Sequence, residues 1–104
     1  MLERIIQLLE SLAKRPQFYV APVEIATIQS YLQGLRGGCM IAGLLVTNEI
    51  VADAATSRGW RFCSIGYIWH LKEKNLTDEQ IIQEMIAVEI EAYRMAATKD
   101  KVQT

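Results

Sequence analysis

The sequence predicts an all-α domain, a bundle of four to five helices with short connections. Three observations lead there. Apolar residues recur at three- and four-residue steps through most segments, helix caps and stops stand between those segments, and the chain contains no repeat, low-complexity tract or long linker. A length of 104 residues suits one domain, which should bury about 65% of the surface its unfolded chain exposes. The expected domain covers residues 1–97 and leaves 98–104 as a polar C-terminal tail.

The first helix is carried by Leu2, Ile5, Ile6, Leu9, Leu12 and Ala13, with Glu3, Arg4, Gln7, Glu10, Ser11 and Lys14 on the other side. Pro16 ends it, because the residue before a proline is pushed out of helical geometry. Residues 16–21 then read as an extended connection anchored on the core by Phe18, Tyr19 and Val20.

Pro22 fits the first turn of a second helix, whose stripe is Ile25, Ile28, Leu32, Leu35 and Cys39. Gly34, Gly37, Gly38 and Gly43, four of the six glycines, crowd its end. Each glycine inside a helix costs about 0.5–1 kcal/mol relative to alanine, so a bend or stop near Gly37-Gly38 is expected. The apolar run from Met40 to Leu45 would then be the most buried element of the chain.

Thr47 caps a third helix over 48–58, with Ile50, Val51, Ala54 and Ala55 inward, Gly59 past its end and Trp60 closing over that end. Between Arg61 and Asn75 the stripe of Phe62, Ile65 and Ile68 or Trp69 suggests a fourth helix, although Gly66 leaves a short strand open. The last helix is announced by Leu76-Thr77-Asp78-Glu79-Gln80-Ile81, which combines a Thr cap, acids in the first turn, Gln at the third position and a Leu/Ile staple. It should run from Asp78 to about Ala97.

Several function classes are disfavoured. A net charge of −1 lacks the cationic excess of a nucleic-acid binder. The longest apolar run, Cys39 to Val46, is far shorter than the roughly 20 residues of a membrane span, and the opening residues do not read as a secretory signal. Cys39 and Cys63 are the only cysteines, so reduced, buried thiols and a cytoplasmic setting are expected. No ligand spacing marks a metal site and no motif marks a cofactor. Gly34-Leu35-Arg36-Gly37-Gly38 lacks the ending of a phosphate loop. Gly34 and Gly38, one turn apart, read instead as a close packing patch, beside which Arg36 could meet an anion.

One residue breaks the pattern. The apolar arc of the last helix comprises Ile81, Ile82, Met85, Ile86, Val88, Ala92, Tyr93 and Ala96, and Glu89 falls near its centre. A carboxylate there must be paired, hydrogen-bonded or protonated. Arg15, Arg36, Tyr19, Tyr67 and His70 are the candidate partners. Glu89 is then either a structural tie to the Arg15-Pro16 connection or a polar group in a ligand cavity or subunit interface. Cys63, Tyr67 and His70 would share one side of a fourth helix, but nothing in that spacing supplies the oxyanion site that a cysteine nucleophile needs. Charge is also segregated: residues 58–74 hold four Lys or Arg against one Glu, and residues 77–94 hold five acids against one Arg. Antiparallel packing would bring these blocks together, or the acidic face would meet a basic partner.

Leu12-Ala13-Lys14-Arg15-Pro16-Gln17-Phe18-Tyr19, followed by Ile28-Gln29-Ser30-Tyr31-Leu32-Gln33-Gly34, resembles a group of small bacterial proteins, uncharacterised or immunity-like, that carry an Arg-Pro-x-Met-Tyr segment and then a helix ending in Leu-x-Gly. Leu76 to Ile82 and Val88 to Tyr93 are similar to their final helix, while Phe18 stands where they have Met and Ala21 where glycine is usual. The resemblance implies a helical, non-enzymatic binding protein in which Arg15, Tyr19 and Glu89 form one internal cluster. The first expectation is therefore a cytosolic protein-binding module, homodimeric or in a regulatory or immunity-like role. The alternative is a small-molecule binder or an unrecognised enzyme with a pocket among Tyr19, Tyr67, Trp69, His70 and Glu89.

Overall fold

The computed structural model describes residues 2–63 and 66–103, with side chains described through Thr98. Five α-helices form an all-α bundle: α1 (Leu2–Lys14), α2 (Ile25–Ile41), α3 (Asn48–Ser57), α4 (Ile68–Glu73) and α5 (Asp78–Gln103), with a short 3-10 turn at Pro16–Phe18. The long α5 is the spine, against which α1, α2, α3 and α4 all pack. The molecule measures 42 × 30 × 19 Å, so it is two helix layers thick.

The arc on α5 accounts for this arrangement. Ile81, Ile82, Met85, Ile86, Val88, Ala92, Tyr93 and Ala96 are all buried. They meet Ile5, Leu9 and Leu12 of α1, Ile28, Leu32 and Cys39 of α2, and Ile50, Val51, Ala54 and Ala55 of α3 in one core. Each large aliphatic side chain buried there contributes about 1.5–3 kcal/mol.

Local chemistry sets the helix ends. At the start of α5 the Gln80 N–H donates to Thr77 Oγ1 at 3.2 Å, and the Thr77 N–H donates to Gln80 Oε1 at 2.9 Å, a reciprocal capping box. Thr47 Oγ1 accepts from the Ile50 N–H at the start of α3. Helices α2 and α3 end alike. Gly43 (φ 98°) and Gly59 (φ 90°) take left-handed geometry, and the next amides, of Leu44 and Trp60, reach back to the carbonyls of Cys39 and Ala55.

Five expectations are corrected. Helix α2 starts at Ile25 rather than at Pro22, whose bond to Ala21 is cis; Thr27 Oγ1 accepts from the Glu24 N–H and fixes the later start. Residues 16–18 are a 3-10 turn instead of extended chain, and Phe18 is exposed rather than anchored. Helix α2 does not stop at Gly37-Gly38 but continues to Ile41, because burial of Leu32 and Cys39 on either side outweighs the glycine cost. The segment past it is not the most buried element, since Met40, Ile41 and Leu45 are 56%, 87% and 53% exposed. Finally, α5 continues past Ala97 to Gln103, where no Gly or Pro stops it, so residues 98–103 are helical rather than a frayed tail.

The fourth helix is shorter than its stripe suggested. Cys63 and Gly66 exchange backbone hydrogen bonds as an isolated bridge, with Gly66 at φ 93°, so neither of these two residues belongs to a helix or a regular strand. Ile65 lies outside the described residues. Cys63 is therefore off the helix and does not share a side with Tyr67 and His70, and its thiol is exposed, whereas Cys39 is buried.

Candidate functional site

Glu89 is 1% exposed and meets Arg36 across the α2/α5 contact. The guanidinium donates twice, Nε to Oε2 at 3.1 Å and Nη2 to Oε1 at 2.5 Å. The fork geometry matches a carboxylate and opposes a full charge to a full charge. Burial pushes the Glu89 carboxyl above its ordinary value, and the neighbouring guanidinium partly offsets that push. Arg36 can serve because it lies on the border between the buried and open sides of α2, its side chain 22% exposed.

A second rung lies one turn along. Cys39 follows Arg36 by three residues on α2, and Tyr93 follows Glu89 by four on α5. The Tyr93 hydroxyl is buried without a well-formed hydrogen bond, and burial, with Cys39 beside it, raises its ionisation well above the usual phenol range.

Tyr67, at the start of α4, is also buried, and desolvation together with the Glu89 charge holds its hydroxyl protonated. Its ring stacks with Phe62 at 6.2 Å and 29°. Arg36, Tyr67 and Glu89 line one cavity of about 110 Å³, whose apolar wall includes Leu32, Val51 and Met85 and whose polar wall adds Gln29, Gln33 and Asn48.

Of the six residues singled out from sequence, the structure thus brings together Arg36, Tyr67 and Glu89. Arg15 is exposed with its guanidinium 5.8 Å from the Phe18 ring centre, and Tyr19 packs edge-on to Tyr31 at 6.1 Å. Neither bonds Glu89, so the internal cluster of Arg15, Tyr19 and Glu89 does not form. His70 is buried but faces elsewhere: its Nδ1 accepts from the Arg61 N–H at 3.0 Å, and its ring packs edge-on to Trp60 and tilted against Trp69. That bond places the ring hydrogen on Nε2 and makes His70 a cap for the chain entering α4.

Sequence reading missed the carboxamides of Gln29, Gln33 and Asn48 and the role of Glu84. Gln29, Gln33 and Arg36 recur at four- and three-residue steps on one side of α2, a polar stripe that spacing alone could have revealed. Glu84 accepts from Arg58 Nε at 3.0 Å, from Arg58 Nη2 at 2.7 Å and from Trp60 Nε1 at 2.8 Å. This ties the basic and acidic blocks together, from the end of α3 rather than from α4. The Arg58 bonds hold the Glu84 carboxyl below its ordinary value, against the opposing effect of burial.

Among the described residues no group of three His, Cys, Asp or Glu side chains converges, and no helix is long and apolar enough to cross a membrane. In comparisons with known proteins the chain matches no family model, no curated protein and no solved structure.

Proposed function

We infer that this protein works by binding protein rather than by catalysis, and that its first partner is a second copy of itself. The observation that carries this reading is the exposed apolar surface at the end of α2, where Met40, Ile41 and Leu45 stand largely in solvent. On the Ile41 side of α2, Gly34 and Gly38 leave open space where a Cβ would stand. Exposed hydrophobic residues scattered singly need no partner, whereas three of them within six positions make the kind of apolar cluster that partners cover.

Charge does not oppose a second copy. In a two-fold contact each residue meets its own symmetry mate's surroundings, so charged groups at the centre meet like charges. Residues 37–47 carry none. The regulatory or immunity-like role implied by the resemblance, in the cytoplasm, is the setting proposed for such a module.

Light scattering after size exclusion tests this reading. The wild type should show twice the 11.8 kDa chain mass, and Ile41→Glu, which puts a charge at the most exposed apolar position, should shift the population to 11.8 kDa with an unchanged helical spectrum. A wild type that stays at 11.8 kDa at high concentration overturns it.

A further inference from the structure

The cavity beside Arg36 and Glu89 has the composition of a recognition site, and Met40, Ile41 and Leu45 are not among the residues that line it. Its charges cancel. Among the described residues Arg36 and Glu89 are the only acidic or basic side chains lining it, and they are bonded to each other, so neither an anion nor a cation finds an uncompensated counter-charge.

What remains unspent is hydrogen-bonding capacity. Glu89 is engaged by Nε and Nη2 of Arg36, and among the described residues Nη1 has no protein acceptor. Tyr67 supplies a protonated hydroxyl. Gln29 and Gln33, both exposed, and Asn48 each offer a carbonyl acceptor beside an N–H₂ donor. A matching ligand presents an oxygen acceptor to the guanidinium and N–H donors to the carboxamides.

Shape narrows this further. The stacked Phe62 and Tyr67 rings offer flat walls and Leu32, Val51 and Met85 an apolar one. A volume of about 110 Å³ is somewhat below the roughly 150 Å³ of a cavity that admits benzene, and it suits a group of about five heavy atoms. We propose that this cavity binds a small, uncharged, planar amide or urea group, with its carbonyl oxygen on Arg36 and its N–H₂ toward the carboxamides of α2.

The test is an ¹⁵N-resolved NMR titration of the full chain with acetamide and methylurea, using acetate and methylammonium as charged controls of similar size. Expected are saturable, millimolar shifts of the Arg36 Nε–H, the Gly66 amide and the Gln29 side-chain amide, with the two charged probes at least tenfold weaker. Gln33→Leu changes an exposed position without touching the core, and it should keep the fold while weakening acetamide at least fivefold. Shifts that never saturate, acetate binding as well as acetamide, or a Gln33→Leu variant that binds unchanged would each overturn the proposal. Titrating the Ile41→Glu variant alongside keeps this test apart from dimerisation, because Ile41 does not line the cavity.

Discussion

Removing Arg36 should be among the costliest single changes available to this chain. Arg36→Met keeps an unbranched, helix-compatible side chain but leaves Glu89, 1% exposed, without its two charge-assisted hydrogen bonds. Breaking a buried ion pair from one side costs about 3–5 kcal/mol. Because the Arg36 side chain is 22% exposed and the cavity beside it is open to polar groups, the low end applies, about 3 kcal/mol. With a urea m-value of about 2 kcal/mol/M, that lowers the unfolding midpoint by roughly 1.5 M. It is also a large share of the 5–15 kcal/mol typical of a whole domain. The loss should grow with pH. Burial already raises the Glu89 carboxyl and Arg36 opposes that rise, so without Arg36 the raised value climbs further. A group raised on folding stabilises fully below its unfolded value and loses that contribution as pH rises through the folded one. Urea unfolding followed by circular dichroism at pH 5 and pH 8 measures both effects. The double variant Arg36→Met, Glu89→Met removes both charges and should return to within about 1 kcal/mol of wild type. A single variant within about 0.5 kcal/mol of wild type at both pH values, or a double variant no better than the single, would show that Arg36 does not hold Glu89 in the folded chain.

Two further outcomes follow from local geometry. Gly43→Ala should cost about 1–2 kcal/mol through left-handed backbone strain alone, since nothing stands within 4 Å of the added Cβ, whereas Gly37→Ala, in ordinary helical geometry with the same open space, should stabilise the folded chain by about 0.5–1 kcal/mol; equal effects of the two in thermal unfolding would contradict the assigned helix end. Glu84, held below its ordinary value by Arg58, contributes stability that is present above about pH 4.5 and lost as pH falls through its folded value, so Glu84→Gln should flatten the acid limb of a Tm-against-pH curve; an unchanged acid limb would show that the Arg58 and Trp60 contacts do not hold in solution.

The elements legible in the sequence were those whose signals were local and periodic. The α5 arc, the Thr77 capping box and the Thr47 cap depend on residues within a turn or two of one another, and all are realised. Glu89 stood out because it interrupts a stripe, and Arg36 was among its five candidate partners. Choosing Arg36 needed the α2/α5 crossing, which joins positions 53 residues apart. The Gly37-Gly38 pair misled because local cost was set against a benefit that is tertiary, the burial of Leu32 and Cys39 on α5. Reading Met40 to Leu45 as core had a similar origin. Apolar composition records that a surface needs covering but not whether the same chain covers it. The bridge at Cys63 and Gly66 cut the fourth helix short through a left-handed glycine, a choice that the apolar stripe does not encode.

The claim that most needs testing is that the end of α2 is covered by a second copy. Equal amounts of isotope-labelled and unlabelled chain, unfolded and refolded together, allow contacts between copies to be observed selectively by filtered NOE spectroscopy. Cross-peaks between copies are expected from the methyl groups of Met40, Ile41 and Leu45, lost in Ile41→Glu. Cross-peaks confined to other exposed apolar residues such as Phe18 and Val23, or none between copies at any concentration, would contradict it.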